Sequence, residues 1–195
     1  MDLVCASANP DKYVEMAQIL SGVANLAPRP KDIPEVLEDA DNLLDNARLK
    51  AVAIRSATGC PAVADDTGLE VDALGGAPGV FSARYAGDDA TYEDNVRKLL
   101  KEMKGVDGER RSARFRTVAV ISWTDGTETI AEGIVEGLIA ETPSGRGGFG
   151  YDSIFVPSSG SGKTFAEMED EEKNVISHRG IAFRRLNRRL KKKNA

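Results

Sequence analysis

Two consecutive carboxylates, Asp65 and Asp66, end a short apolar run, and the chain then passes through Gly68, Gly75, Gly76 and Gly79 to Arg84 and Tyr85. Paired acids at a strand end suit a hard divalent cation, which takes oxygen ligands and is usually shared with phosphate. Neighbours on an extended chain point to opposite faces. One acid, Asp66, is therefore expected at a metal, with Asp65 in a turn cap or behind it. The clustered glycines mark backbone at positive φ or closely approached by something else. Those at 75–79 are read as shaping a loop, with a subunit contact near Tyr85, rather than touching phosphate.

Other stretches carry compatible chemistry. Ser7-Ala8-Asn9-Pro10-Asp11-Lys12 leads from a short strand into a helix, because Asn caps free N–H groups and Pro is tolerated at the first helical position. Such a helix start attracts anions, and Lys12 adds a full charge. Residues 32–45 are acidic, with Glu35, Glu38, Asp39, Asp41 and Asp45 read mainly as solvent-facing or capping and one or two able to reach a metal. Lys50, one helical turn beyond Ala47, can approach the same place. Gly145-Arg146-Gly147-Gly148-Phe149-Gly150-Tyr151-Asp152 sets an aromatic between glycines, where it can stack on a flat ligand or anchor a tight turn. His178 is the single histidine; beside Arg179 it suggests two donors aimed at a carbonyl oxygen.

Ser159-Gly160-Ser161-Gly162-Lys163-Thr164 imitates the end of a phosphate-binding P-loop. That pattern needs an earlier glycine where this chain has Pro157, and no later strand supplies a magnesium aspartate. An ATP-using enzyme built on Gly160 and Thr164 is kept as the alternative reading.

The elements that must position these groups are legible in the spacing. Strands are expected at 2–6 and 23–27, and a helix with Tyr13, Met16, Ala17 and Leu20 on one face stops at Gly22. A second helix through Leu43, Ala47, Ala51 and Ile54 ends at Gly59. Thr91-Tyr92-Glu93-Asp94 resembles a capping box. Strands at 113–123 and 127–139 join at Asp125-Gly126, a hairpin signal, so the sheet is mixed. The 195 residues predict one α/β domain, 1–195, with a mixed, elongated central sheet flanked by helices and two lobes with the active-site cleft between them.

Composition excludes several classes. No apolar run approaches the roughly 20 residues that cross a bilayer, and the start lacks a signal-peptide pattern, so a cytoplasmic protein with no membrane partner is expected. Cys5 and Cys60 lie beside apolar segments without metal spacing and are read as buried free thiols. A net charge of −5 argues against nucleic acid as the main partner. The basic run Arg184, Arg185, Arg188, Arg189, Lys191, Lys192 and Lys193 is read as a solvated helix end; a nucleic-acid patch, with salt-sensitive affinity, is the competing reading.

Taken in order, the 7–12 turn, the segment from Asp65, Gly147-Gly148-Phe149-Gly150-Tyr151-Asp152, and the stretch from Lys173 to Arg179 resemble the inosine and xanthosine triphosphate pyrophosphatase family across nearly the whole chain. The resemblance implies hydrolysis of ITP, dITP, XTP and dXTP to monophosphate and pyrophosphate, with Mg2+, in a homodimer. It implies that Ser7, Ala8, Asn9, Pro10, Asp11 and Lys12 hold the triphosphate, that Glu38 and Asp66 bind metal, and that Asp66 is the proton acceptor. Thr67 and Lys173 would contact substrate, Lys50 would neutralise phosphate, and Phe149, Gly150, Tyr151 and Asp152 would form the base pocket. His178 and Arg179 would read the purine edge. The chain departs from the family pattern at Ala8, where glycine is usual, and around Glu38-Asp39-Ala40 and Asp45-Asn46-Ala47. A non-catalytic nucleotide-binding regulatory module would share this pocket but not turnover.

Overall fold

The computed structural model describes residues 1–193, with the side chains of Lys192 and Lys193 outside the description. Seven strands form one mixed sheet in the order β2-β1-β3-β5-β6-β7, with β4 pairing β3 off that path. The strands are β1 (Asp2–Cys5), β2 (Asn25–Ala27), β3 (Ala62–Val71), β4 (Pro78–Gly79), β5 (Ser112–Ser122), β6 (Glu128–Ile139) and β7 (Phe155–Pro157). The helices are α1 (Pro10–Leu20), α2 (Leu43–Thr58), α3 (Tyr92–Glu102), α4 (Asp170–Ile176) and α5 (His178–Lys193). β1 runs parallel to β2 and β3, whereas β3 with β4 and β6 with β7 are antiparallel.

Local chemistry explains the boundaries. Asn9 caps α1 by accepting the N–H groups of Asp11 and Lys12 at 2.9 and 3.2 Å. Asn42 caps α2, and Gly59 ends it in the left-handed conformation. Thr91 and Asp94 form the capping box of α3. β5 and β6 meet in a turn where Trp123 and Thr127 bond and Gly126 takes positive φ. The second strand is shorter than expected because Val23 and Ala24 turn back onto Leu20 through their N–H groups.

The chain divides into two compact units. The first comprises residues 1–66, 117–133 and 179 onward. Its core gathers Leu3, Cys5, Met16, Leu20, Val63, Ile121, Phe183, Leu186 and Leu190, so the apolar faces of α1 and α5 are buried with β1, β3 and β5. Burial pushes the Cys5 thiol up to about 11. Cys60, expected to be buried, is exposed because Gly59 has already turned the chain out of α2. Arg185 and Arg189 of the basic run donate to the carbonyls of Glu132 and Ile130 on β6, so part of that charge covers backbone acceptors.

The second unit comprises residues 67–116 and 134–178. Its core joins Leu69, Val71, Leu99, Met103, Phe115, Ile154, Phe155 and Phe165. Gly68 is required there: a Cβ would lie 2.6 Å from the carbonyl oxygen of Gly79, where β3 pairs with β4. The glycines from Gly75 to Gly79 form this return, and the buried Ser82 hydroxyl fastens it, accepting from Leu69 N at 2.8 Å and donating to Gly79 O at 2.6 Å.

Candidate active site

In the first unit, β3 sends its two acids to different partners. Asp65 is fully buried, 3.6 Å from Lys12 Nζ and 2.9 to 3.0 Å from the Arg179 guanidinium. Arg179 also donates to Glu15 through Nη1. Burial works against the charge on Asp65, but Lys12 and Arg179 outweigh it and hold the carboxyl well below the usual carboxylate range. Burial dominates for Lys12 and lowers its pKa against the pull of Asp65. For Arg179, Asp65 and Glu15 overcome burial and raise the value.

Asp66 faces Lys50. The Lys50 ammonium donates to Asp66 Oδ1 at 3.2 Å and to Glu38 Oε2 at 2.7 Å. These two carboxylates overcome the effect of burial and raise its pKa. Helix α2 fixes the base of the lysine stem, since Ala47, Ala51 and Ile54 are fully buried along it. Asn46, on the same helix and almost fully buried, accepts from Ala40 N at 3.0 Å and donates to Ala40 O at 3.4 Å, which pins the loop bearing Glu38.

The 7–12 turn lies at the start of α1. Ser7 is buried and its hydroxyl accepts from Asn9 N at 3.2 Å, whereas Ala8, Pro10 and Asp11 are exposed. Ala8 stands in ordinary backbone conformation, because no described non-glycine residue has positive φ. The residue that replaces glycine there is accommodated without strain.

The donors suit magnesium. Among the described residues no group of three His, Cys, Asp or Glu side chains gathers around a metal position. Glu38 and Asp66 nevertheless converge on one cation. Two hard carboxylates are what magnesium takes from a protein when water and phosphate fill its remaining positions.

The second unit holds the aromatic residues. Gly145, Gly148 and Gly150 take positive φ, and a Cβ on Gly148 would lie 2.2 Å from Asp152 Oδ2, so only glycine lets the loop close on that acid. Asp152 accepts from Phe149 N at 2.8 Å and from Lys173 Nζ at 2.6 Å, and both charged residues are buried. Lys173 Nζ lies 4.9 Å from the centre of the Phe149 ring, a cation–π contact. Tyr151 donates to Ser82 O at 2.9 Å, and burial raises its pKa. His178 stacks on Phe115 with centroids 4.5 Å apart and planes 20° apart. Thr67 opens this unit one residue after Asp66.

Comparison with known proteins shows the family. The Ham1 family profile matches residues 3–189. The chain belongs to the Ham1 family. The dITP/XTP pyrophosphatase of Thermus thermophilus is 49% identical over 95% of this chain and 90% of its own. That of Escherichia coli O157:H7 is 46% identical over 94% of this chain and 95% of its own. A Ham1 protein structure from Coxiella burnetii superposes with a TM-score of 0.87 at 39% identity, covering 98% of this chain and 99% of that one. The Staphylococcus aureus Ham1 structure gives 0.86 at 36% identity, with 99% and 100% covered.

Within this Ham1 chain, the expected residues fall into two groups. Ser7, Asn9, Lys12, Glu38, Lys50, Asp66 and Arg179 belong to the first unit; Thr67, Phe149, Gly150, Tyr151, Asp152, Lys173 and His178 belong to the second. Arg179, expected to read a purine edge beside His178, is bound by two carboxylates and is 1% exposed. The P-loop alternative fails on geometry: residues 158–162 form a turn after β7, Lys163 pairs with Glu172 at 3.6 Å, and Thr164 opens a three-residue 3-10 turn rather than a long helix. Sequence reasoning missed Glu15, Asn46 and Tyr92. A polar residue on the apolar face of α2 was the available signal for Asn46; the partner of Arg179, far away in sequence, left none.

Proposed function

We propose that the protein hydrolyses deaminated purine nucleoside triphosphates, ITP, dITP, XTP and dXTP, to the monophosphate and pyrophosphate, removing them from the nucleotide pool. The observation that carries this reading is the convergence of Glu38 and Asp66, the latter within β3, on one positive charge, the Lys50 ammonium. Relatives at 46 to 49% identity named for dITP/XTP pyrophosphatase activity support it. Lys12, at the start of α1, takes the phosphate charge together with the 7–12 turn, as helix N-termini do.

Glu38 and Asp66 would hold the magnesium ion, which supplies charge neutralisation and a more acidic bound water. Asp66 accepts the proton of the attacking water as the new P–O bond forms and the α–β anhydride bond breaks. Pyrophosphate leaves with the bonding electrons. Asp65 touches no reacting atom in this scheme; it orients Lys12 and Arg179. Base recognition belongs to the second unit, where Phe149 offers a stacking face and His178 a donor for the O6 carbonyl of hypoxanthine or xanthine. Adenine presents an amino group there, and facing a buried donor with a donor costs about 1 to 3 kcal/mol. Reading the purine edge with Arg179 would require it to release Asp65 or Glu15, so this role falls first to His178.

A homodimer in the cytoplasm completes the proposal. Phe81 is 54% exposed on a segment pinned by Asn95, Lys98 and Tyr151, which makes it a candidate for cover by a second copy. Sedimentation of the purified chain checks the dimer: a monomer at micromolar concentration removes it. The activity is tested with magnesium and a panel of ITP, XTP, ATP and GTP with product identification. Monophosphate and pyrophosphate from ITP and XTP are expected. Diphosphate plus phosphate, indifference to the base, or binding without turnover overturns the reading.

A further inference from the structure

Lys50 occupies an unusual place for a lysine. Its ammonium lies within hydrogen-bond distance of both Glu38 and Asp66, and the residue is 6% exposed. Bringing two carboxylates together out of water is unfavourable without a compensating cation, and Lys50 supplies one. A divalent ion bound by the same oxygens would stand at close range to that ammonium, and the two positive charges would repel. The ion and the ammonium therefore compete for the two carboxylates.

We propose that Lys50 is an internal counter-ion exchanged for the metal: the ion takes Glu38 and Asp66, and the displaced ammonium transfers to the phosphates of the nucleotide. This rests on the reading of Glu38 and Asp66 as the metal ligands. The backbone of Lys50 is fixed by the buried face of α2, so the exchange needs only rotation of its flexible four-carbon stem. Metal arriving alone strands the ammonium without a new anion. Metal arriving on a triphosphate brings that anion with it. Metal and phosphate therefore bind with positive coupling, and Lys50 is the positioning residue that links them. A bare divalent ion is held weakly, and the carboxylate pair stays neutralised until substrate arrives.

The test uses the full chain without nucleotide. Magnesium is titrated calorimetrically into wild type and Lys50→Met. The variant is expected to bind the ion more tightly by about five- to a hundredfold, the usual range for such couplings. Equal or weaker affinity overturns the exchange. Because Lys50→Met leaves two carboxylates facing each other and can impair folding, a second measurement uses wild type alone. Acetylation of Lys50 by an amine-reactive ester, followed by mass spectrometry, is expected to accelerate at magnesium concentrations high enough to saturate the weak site without nucleotide; an unchanged or slower rate at saturation overturns the proposal. Asp66→Asn separates the two levels. If it abolishes magnesium binding while Lys50→Met changes nothing, the metal reading stands and the exchange falls. If it leaves magnesium binding intact, the metal reading fails and the exchange falls with it.

Discussion

The charged cluster of the first unit and the aromatic group of the second are built on different principles. In the first, Lys12, Asp65, Arg179 and Glu15 fix one another by ion pairs, and Lys50 joins Glu38 to Asp66. In the second, the buried pair of Asp152 with Lys173 is set among the rings of Phe149, Phe165, Phe115 and His178. Charge serves any triphosphate alike, because inosine and adenosine nucleotides carry the same phosphates. On the proposed function, rings and donors meet the base, where the substrates differ. Changes in the first unit should therefore lower turnover of every base by one factor, and changes in the second should alter the ratio between bases.

The largest effect is expected at Asp66. On the proposed function, Asp66→Asn removes the proton acceptor and a metal ligand while keeping the size of the side chain, and kcat should fall by about a thousandfold, within the usual range for a positioned general base. Steady-state pyrophosphate release measures this, and calorimetry with ITP should find nucleotide binding weakened by the lost metal coupling but not abolished. Loss of binding would make the role of Asp66 structural. A loss that differed between ITP and ATP would break the division between the units.

Next comes Asp65. Replacing it with Asn leaves Arg179 and Lys12 buried with less compensation, and breaking a buried pair costs about 3 to 5 kcal/mol. Urea unfolding at neutral pH reads this directly. The pH dependence follows from the direction of the shift. The folded-state pKa of Asp65 is depressed, so below the unfolded value of about 3.9 the unfolded chain binds the extra proton. The stabilisation is present above that value and is lost as the pH falls toward the folded one. Wild type should lose stability over that acid range, and Asp65→Asn should show a flatter profile there. Parallel profiles would mean that Asp65 is not held by its two cations.

Much of the fold was legible because its determinants are local. Asn9 before Pro10, Thr91 with Asp94, Gly59 after α2 and Gly126 in the hairpin each act within a few residues of the feature they set. The candidate site was legible as positions, since paired acids and an aromatic between glycines have few uses, although the acids expected at a strand end lie inside β3, which runs on to Val71. Its partnerships were not. Arg179 meets Glu15 and Asp65 across most of the chain length, so adjacency to His178 suggested a different role. Asn46 resembles any polar residue on a helix until its carboxamide is seen to clamp Ala40. The P-loop imitation shows the converse, a local pattern without the helix that would make it bind phosphate.

A smaller effect, confined to the base, is expected at His178. His178→Phe keeps a ring against Phe115 and removes the donors. The specificity constant for ITP should fall by about tenfold to a hundredfold, the cost of one lost buried hydrogen bond, while that for ATP stays near wild type. Initial rates with both nucleotides decide it, and an equal loss on both would place His178 with the charge-handling residues instead.

The smallest effect is expected at Tyr92, and it is the most discriminating. Its ring, at the first position of α3, lies 5.9 Å from that of Phe149 at an angle of 41°, and 42% of the residue is exposed. An aromatic pair contributes about 0.5 to 1.5 kcal/mol beyond burial. If Tyr92 braces Phe149 as a stacking face, Tyr92→Ala should raise KM for ITP by about twofold to tenfold, with kcat unchanged. Tyr92→Phe, which keeps the ring and loses only the hydroxyl, should restore it. A half-exposed residue at a helix start carries little of the core, so thermal unfolding of Tyr92→Ala should stay close to wild type. A drop in kcat, or failure of Tyr92→Phe to rescue, would show that the ring acts other than by bracing Phe149.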